Sequence, residues 1–101
     1  MLPGADVAKV RPAVVLASES YLAEHPDVIV GLLTTKIPTR ITSTDYVLDH
    51  WQTAGLRERS CFRAYLVTSH RANVKVIGRL DPADWQQVQE RVRASMALDS
   101  Q

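Results

Sequence analysis

Two short segments of the sequence hold side chains that could bind a phosphate group. The first runs from Lys9 to Pro12 and precedes an apolar stretch, and the second runs from Thr34 to Lys36 and follows one. A residue before proline is restricted to extended backbone, so Arg11 would hold its planar guanidinium with little freedom at the start of a strand. Thr34 and Thr35 add hydroxyl donors at a strand end. The residue types alone leave open an ordinary surface arginine and ordinary strand threonines.

The basic charge of the chain is local. The 101 residues hold 12 Lys+Arg and 11 Asp+Glu, a formal net charge of +1, which by itself argues against a polyanionic partner. Residues 57–79, however, contain six basic side chains and one acidic one, a formal charge of +5, and the remaining six basic and ten acidic side chains give −4. This segment is therefore a candidate surface for a polyanion.

Other kinds of site lack the residues they need. The histidines His25, His50 and His70 have no HxxxH or HExxH spacing, and there is no cysteine pair, so no metal or other cofactor is expected. Ser69 and His70 are adjacent, so in an extended chain they point to opposite faces, and no GxSxG turn occurs, which argues against a hydrolase triad. Cys61 lies inside a predicted strand, where a small buried hydrophobic residue is expected rather than a reactive thiolate.

Length and composition predict one domain, spanning residues 1–101, in the cytoplasm. A lone cysteine cannot form an intramolecular disulfide. No apolar run approaches the roughly 20 residues of a membrane span, and the N-terminus lacks the apolar region of a signal peptide. No membrane partner is expected.

The hydrophobic pattern predicts a mainly β fold. Apolar runs predict strands at 12–18 and 28–35, joined by a loop with a short helix, then a half-exposed strand at 41–48 and a longer strand at 60–69. Alternation in the longer strand places four residues towards the core, namely Phe62, Ala64, Leu66 and Thr68. It places the other four, Cys61, Arg63, Tyr65 and Val67, on the opposite face.

The C-terminal helix has the clearest local signals. Asp81 is the predicted N-cap, Pro82 takes the first helical position, and Asp84 completes a capping box. An apolar stripe then follows at helical spacing and packs on the sheet; its residues are Trp85, Val88, Val92 and Met96. Several strands followed by one helix, without β-α-β alternation, favour a small, strongly bent antiparallel sheet or barrel.

Four blocks of the sequence, taken in order, carry a family resemblance. They are KVRPAVVLASE, DVIVGLLTTKI, DHWQTAGLRERSCFRAYLV and IGRLDPADWQQVQERV. Their most specific elements are K-x-R-P before an apolar strand, the turn with Gly55, Leu56 and Ser60, and IGRL before the last helix. Over about residues 9–98 the chain resembles the MazF/PemK-like toxins of bacterial toxin–antitoxin systems. The resemblance implies a small SH3-like β-barrel with helices, including a C-terminal amphipathic one.

The resemblance also implies an activity and partners. It implies a homodimeric toxin that cuts single-stranded RNA without a metal and binds a cognate antitoxin, in a complex that can bind DNA. The motif arginine falls on Arg11 and the catalytic threonine on Thr34, with Thr35 the competitor if the register slips by one. In that reaction the RNA's own 2′-hydroxyl attacks the phosphorus, so the enzyme positions the backbone and stabilises negative charge. The alternative is a non-catalytic module that binds an antitoxin or a gyrase-type target.

The basic segment would then line an RNA groove. Tyr65 or Trp51 would offer a surface on which a base stacks. The predicted RNA-binding residues are Lys9, Thr35, Lys36, Arg57, Arg59, Arg63, Tyr65 and Arg71. A solvated basic face, or a docking surface for an acidic antitoxin tail, is the other interpretation.

Two features depart from the family pattern. The family opens with a strand ahead of K-x-R-P, whereas only MLPGADVA precedes Lys9 here, so the first strand is expected to be absent or reduced. Some relatives also place an Arg-x-Asp pair after the long strand for acid–base chemistry, and residues 67–70 hold no carboxylate. Because a histidine side chain can gain and lose a proton near neutral pH, His70 is the remaining candidate for proton transfer, against a solvated loop histidine.

Overall fold

The computed structural model describes residues 10–97, which form one antiparallel sheet and a C-terminal helix. The strands are β1 (Ala13–Val15), β2 (Asp27–Thr34), β3 (Tyr46–Val47) and β4 (Cys61–His70), in the spatial order β1-β2-β4-β3. The helices are α1 (Glu19–Glu24) and α2 (Pro82–Ser95), with a 3₁₀ turn at Arg71–Asn73. The sheet curls into half of a barrel, which confirms the predicted mainly β fold.

Two predictions concern the start of the chain. Lys9 and the place of the family's opening strand lie outside the described residues. Within residues 10–97, no helix is long and apolar enough to cross a membrane.

One face of the sheet packs against α2 and forms the core. The central cluster has a residue from each of β1, β2 and β4, one from the loop after β3, and one from α2, all at most 6% exposed: Val14, Leu33, Phe62, Leu48 and Val88. Ala64 and Leu66 pack against this cluster, as the alternation predicts, while Thr68 is exposed. The core therefore lies at one end of β4 and does not extend along its whole length.

Helix α2 begins where the sequence predicts. The Asp81 carboxylate accepts a hydrogen bond from a first-turn backbone N–H at 2.9 Å, and Pro82 follows it. Asp84, however, does not close a capping box, because its carboxylate is completely buried against other elements. Met96 is also outside the predicted stripe: it caps the C-terminus and is 40% exposed, so the stripe ends at Val92.

The regular alternation of β4 is interrupted at Ala64. The β2–β4 register shifts so that three residues of β4, numbers 63–65, lie opposite the single residue Leu32. Ala64 has φ +59°, a conformation uncommon for a residue other than glycine. Such a bulge bends a strand and changes the direction of its side chains.

Gly31 of β2 lies directly beneath the Phe62 ring. A Cβ at Gly31 would overlap the ring and come within 3.2 Å of Leu16 Cδ1. Phe62 is completely buried, so its ring cannot move out into solvent. The glycine therefore makes room for the largest side chain of the core.

The prediction of a strand at 41–48 is wrong for residues 41–45. Asp45 Oδ2 accepts hydrogen bonds from the Thr42 backbone N–H at 2.9 Å and from Thr42 Oγ1 at 2.8 Å. The Asp45 N–H donates to the Thr42 carbonyl at 3.1 Å and completes a turn. Local side-chain bonds of Thr and Asp compete with strand pairing, which is why only Tyr46–Val47 joins the sheet.

Two of the family motif elements contact each other through their backbones. Gly55 has φ +89°, and a Cβ on Gly78 would overlap the Ala54 carbonyl oxygen. The glycine turn after Trp51 and the IGRL segment before α2 are therefore packed too closely for a side chain at either glycine.

Candidate active site

A cleft of about 200 Å³ opens at the end of β2. Because Leu33 points into the core, its neighbours Leu32 and Thr34 point to the opposite face of the sheet. The residues that line the cleft are Arg11, Leu32, Leu33, Thr34, Lys36, Arg63 and Tyr65. The cleft therefore lies on the side of the sheet away from α2.

Strand register brings Arg11 and Thr34 together. Ala13 of β1 lies opposite Leu32 of β2, and the Pro12 carbonyl accepts a hydrogen bond from the Leu33 N–H at 3.0 Å. Extended by two residues, this antiparallel register places Arg11 opposite Thr34. Directly opposite residues in such a pair have Cβ atoms about 5 Å apart. The two residues that the sequence singles out thus line one cleft from neighbouring chain segments.

The hydroxyl of Thr34 is oriented by its own chain. Thr34 Oγ1 accepts a hydrogen bond from the Lys36 backbone N–H at 3.1 Å, which leaves the hydroxyl proton to donate to a ligand. Thr35 is exposed and does not line the cleft. In this register Thr34, rather than Thr35, faces the cleft.

The bulge of β4 supplies the opposite wall of the cleft. Arg63 Nε donates to Asp45 Oδ1 at 3.3 Å, and the Arg63 Cζ atom lies 5.6 Å from the centre of the Tyr65 ring. Tyr65 is 59% exposed, so its ring is accessible to a stacked base. Trp51, the alternative stacking residue, packs against the core instead.

The cleft is electropositive. Three cations line it, Arg11, Lys36 and Arg63, and no acidic side chain does so among the described residues. The Asp45 carboxylate, 3.3 Å from Arg63 Nε, belongs to a side chain that is only 3% exposed. Burial by itself raises the pKa of Asp45, but the hydrogen bonds from Thr42 and the contact with Arg63 together hold it below its usual value. The arrangement favours a bound anion.

His70 and Arg71 lie away from the cleft. His70 pairs with Asp27 at the far end of β2, roughly 23 Å along the strand from Thr34. Its Nδ1 accepts the Ala72 N–H at 3.1 Å and caps the 3₁₀ turn. The fold of one chain therefore does not bring His70 to the cleft that Thr34 lines, and its proton-transfer role stays a prediction.

Arg71 and two other predicted RNA-binding arginines do not line the cleft. The Arg71 guanidinium donates to the carbonyl oxygens of Leu22 and His25, the latter at 2.6 Å, and so ties α1 to the end of β4. Arg57 and Arg59 are exposed on the loop before β4. Arg57, Arg59 and Arg71 therefore lie outside the group of side chains that lines the cleft.

Asp45 is the residue near the cleft that sequence reasoning missed. The alternation assigned it to a strand, although the run Thr42-Ser43-Thr44-Asp45 has the composition of a turn that bonds its own backbone. That composition is the signal that could have identified it.

Residues 10–97 do not form the side-chain arrangement that a metal site or a reactive cysteine requires. No group of three or more His, Cys, Asp or Glu side chains is placed to hold a metal ion. Cys61 is completely buried, and burial raises the pKa of its thiol. Its Sγ donates to the Phe62 carbonyl at 3.6 Å, so the structure agrees with the expected buried, unreactive cysteine.

A curled antiparallel sheet backed by one C-terminal helix is the fold of the MazF toxins. The family model for the PemK-like, MazF-like toxins of type II toxin–antitoxin systems matches residues 2–96. The chain therefore belongs to the PemK/MazF-like toxin family. No curated protein sequence matches it.

Solved structures of mycobacterial toxins share the fold. The Mycobacterium tuberculosis toxin MazF-mt6 is 22% identical with a TM-score of 0.73, over 88% of each chain. An endoribonuclease in complex with its cognate antitoxin, from a mycobacterial species, is 15% identical with a TM-score of 0.72, over 87% of this chain and 82% of that one. A further mycobacterial endoribonuclease is 16% identical with a TM-score of 0.72, over 88% of this chain and 82% of that one.

Proposed function

We propose that this chain is the toxin of a type II toxin–antitoxin system, a single domain that cuts single-stranded RNA in the cytoplasm without a metal. The observation that carries the proposal is the cleft in which Arg11 lies across from Thr34, with Lys36 and Arg63 beside them and no acidic lining residue among those described. Membership of the toxin family and likeness to structures described as endoribonucleases support it.

The cleft has the donors that this reaction requires. The RNA 2′-hydroxyl loses its proton and forms a bond to phosphorus, and the bond from phosphorus to the 5′ oxygen breaks as that oxygen gains a proton. The extra negative charge falls on the non-bridging oxygens, to which Arg11 donates charge-assisted hydrogen bonds. Thr34 adds a neutral donor, and Lys36 and Arg63 neutralise neighbouring phosphates. DNA lacks the nucleophile and would bind without being cut.

The decisive experiment uses a set of fluorogenic DNA oligonucleotides that each contain a short ribonucleotide stretch. We expect cleavage that persists in EDTA, with products that carry a 2′,3′-cyclic phosphate by mass spectrometry. All-DNA versions of the same oligonucleotides should bind and remain intact. Cleavage that stops in EDTA, or cleavage of all-DNA strands, would contradict the mechanism. Binding without any cleavage would favour the alternative, a non-catalytic module that acts through a protein partner.

We also propose that the toxin pairs with a second copy of itself and binds a cognate antitoxin. A row of valines, Val15, Val30 and Val67, crosses β1, β2 and β4 in register on the face away from α2. Val15 is 39% exposed and Val67 is 42% exposed, while Val30 between them is buried, so the two outer valines are open to a protein partner. Sedimentation equilibrium should give about twice the 11.3 kDa chain mass, and a monomer at micromolar concentration would contradict the dimer.

A further inference from the structure

Arg63 is the cleft cation that a buried carboxylate holds in place. Its Nε donates to Asp45 Oδ1 at 3.3 Å, and the Asp45 side chain is 3% exposed against 36% for Arg63. Within residues 10–97, no hydrogen bond or ion pair fixes the guanidinium of Arg11 or the ammonium of Lys36. The two Nη groups of Arg63 likewise have no hydrogen-bond partner among these residues, so they are available to a ligand.

The carboxylate of Asp45 is itself fixed from several sides. Its Oδ2 accepts from the N–H and the hydroxyl of Thr42, at 2.9 and 2.8 Å. Its backbone carbonyl accepts from Arg91 Nε at 3.1 Å, which connects the turn to helix α2. Asp45 is therefore a rigid point of attachment for a side chain that would otherwise be mobile.

Among the partners of the Asp45 side chain, Arg63 is the one that interacts with its negative charge. The two donors of Thr42 require only an acceptor oxygen, which an asparagine would also provide. Arg63 is the only basic side chain within ion-pair distance of the Asp45 carboxylate among the described residues. A guanidinium already held at Nε loses less freedom when it binds an oxyanion, and its direction is set in advance.

We propose that Asp45 is a positioning residue for RNA cleavage, which holds the Arg63 guanidinium so that its Nη groups meet a substrate phosphate. The inference rests on the proposed function. Asp45 contacts no substrate itself; it acts through Arg63. The Tyr65 ring, 5.6 Å from Arg63 Cζ, limits the guanidinium on a further side.

The test compares Asp45→Asn with Asp49→Asn, an exposed carboxylate that does not line the cleft and whose loss changes net charge equally. On the ribonucleotide-containing oligonucleotides we expect kcat/KM to fall about tenfold for Asp45→Asn and to stay within twofold for Asp49→Asn. In an Arg63→Ala background, Asp45→Asn should have no further effect, because a residue that acts through Arg63 is silent without it. An equal loss in both backgrounds would overturn the inference.

A second measurement needs no variant that might unfold. In the wild-type protein the Arg63 Nε–H signal in nitrogen-15 NMR should exchange with solvent more slowly than that of Arg57, which is exposed. Equal exchange rates would overturn the ion pair and with it the inference. Failure of the wild-type protein to cut RNA would overturn the proposed function, while the exchange measurement would still report separately on the ion pair.

Discussion

Replacing Arg11 with alanine is expected to lower RNA cleavage by at least about 10²- to 10³-fold, the usual cost of removing one donor to a developing oxyanion. Arg11 lies across from Thr34, and its guanidinium is the charged donor closest in register to that hydroxyl. Because Arg11 is exposed, its truncation removes no core packing. The free energy of unfolding should therefore change by less than about 0.5 kcal/mol.

Arg40→Ala is the matched control for Arg11→Ala. Arg40 is also exposed, does not line the cleft, and carries the same charge. If the effect were only a loss of net positive charge, both variants would lose activity equally. We expect Arg40→Ala to cut within about threefold of the wild type, because Arg40 does not line the cleft. Full activity of Arg11→Ala, measured with the same oligonucleotides in EDTA, would contradict the assignment of the cleft.

Local signals in the sequence predicted the elements that are determined locally. The N-cap at Asp81 and the proline after it specify the start of α2 within a few residues, and the structure begins the helix there. The apolar runs predicted strands at the positions of β1, β2 and β4. The placement of Arg11 near Thr34 came from the family resemblance, since a pair 23 positions apart in the sequence has no local signal.

The parts that were missed depend on long-range contacts. The bulge at Ala64 arises where β4 pairs with β2 around the Phe62 ring and Gly31, and nothing in the β4 sequence marks it. The turn at Asp45 is the exception: it is made by local bonds between Thr42 and Asp45, and the alternation of residues 41–48 predicts a strand where the Thr and Asp composition indicates a turn. The position of His70, at the end of β4 away from the cleft, was also not predictable, because adjacency in sequence to a long strand does not say which end of that strand bears the site.

The buried carboxylate of Asp84 joins α2 to the segment after β3. It accepts hydrogen bonds from Tyr46 Oη at 2.6 Å, from the His50 N–H at 2.8 Å and from the Asp49 N–H at 3.1 Å. Burial raises the pKa of the Asp84 carboxyl, but these donors and the nearby His50 side chain together hold it below its ordinary value. The Arg91 guanidinium lies 5.2 Å from the Tyr46 ring centre and bonds the Asp45 carbonyl, so this junction also supports the turn beside the cleft.

Asp84→Ala is expected to destabilise the protein by about 3 to 5 kcal/mol at pH 7, because its fully buried carboxylate is the charged acceptor of three part-buried donors. Asp81→Ala, which removes only the helix cap, should cost about 1 kcal/mol. A carboxyl whose pKa is lower in the folded than in the unfolded state contributes its full stability above the unfolded value of about 4. It loses that contribution as the pH falls through the folded pKa. In urea unfolding, the difference in the free energy of unfolding between wild type and Asp84→Ala should therefore be smaller near pH 3 than at pH 7. A difference that does not change with pH, or a loss of stability smaller than that of Asp81→Ala, would contradict the role of the buried charge.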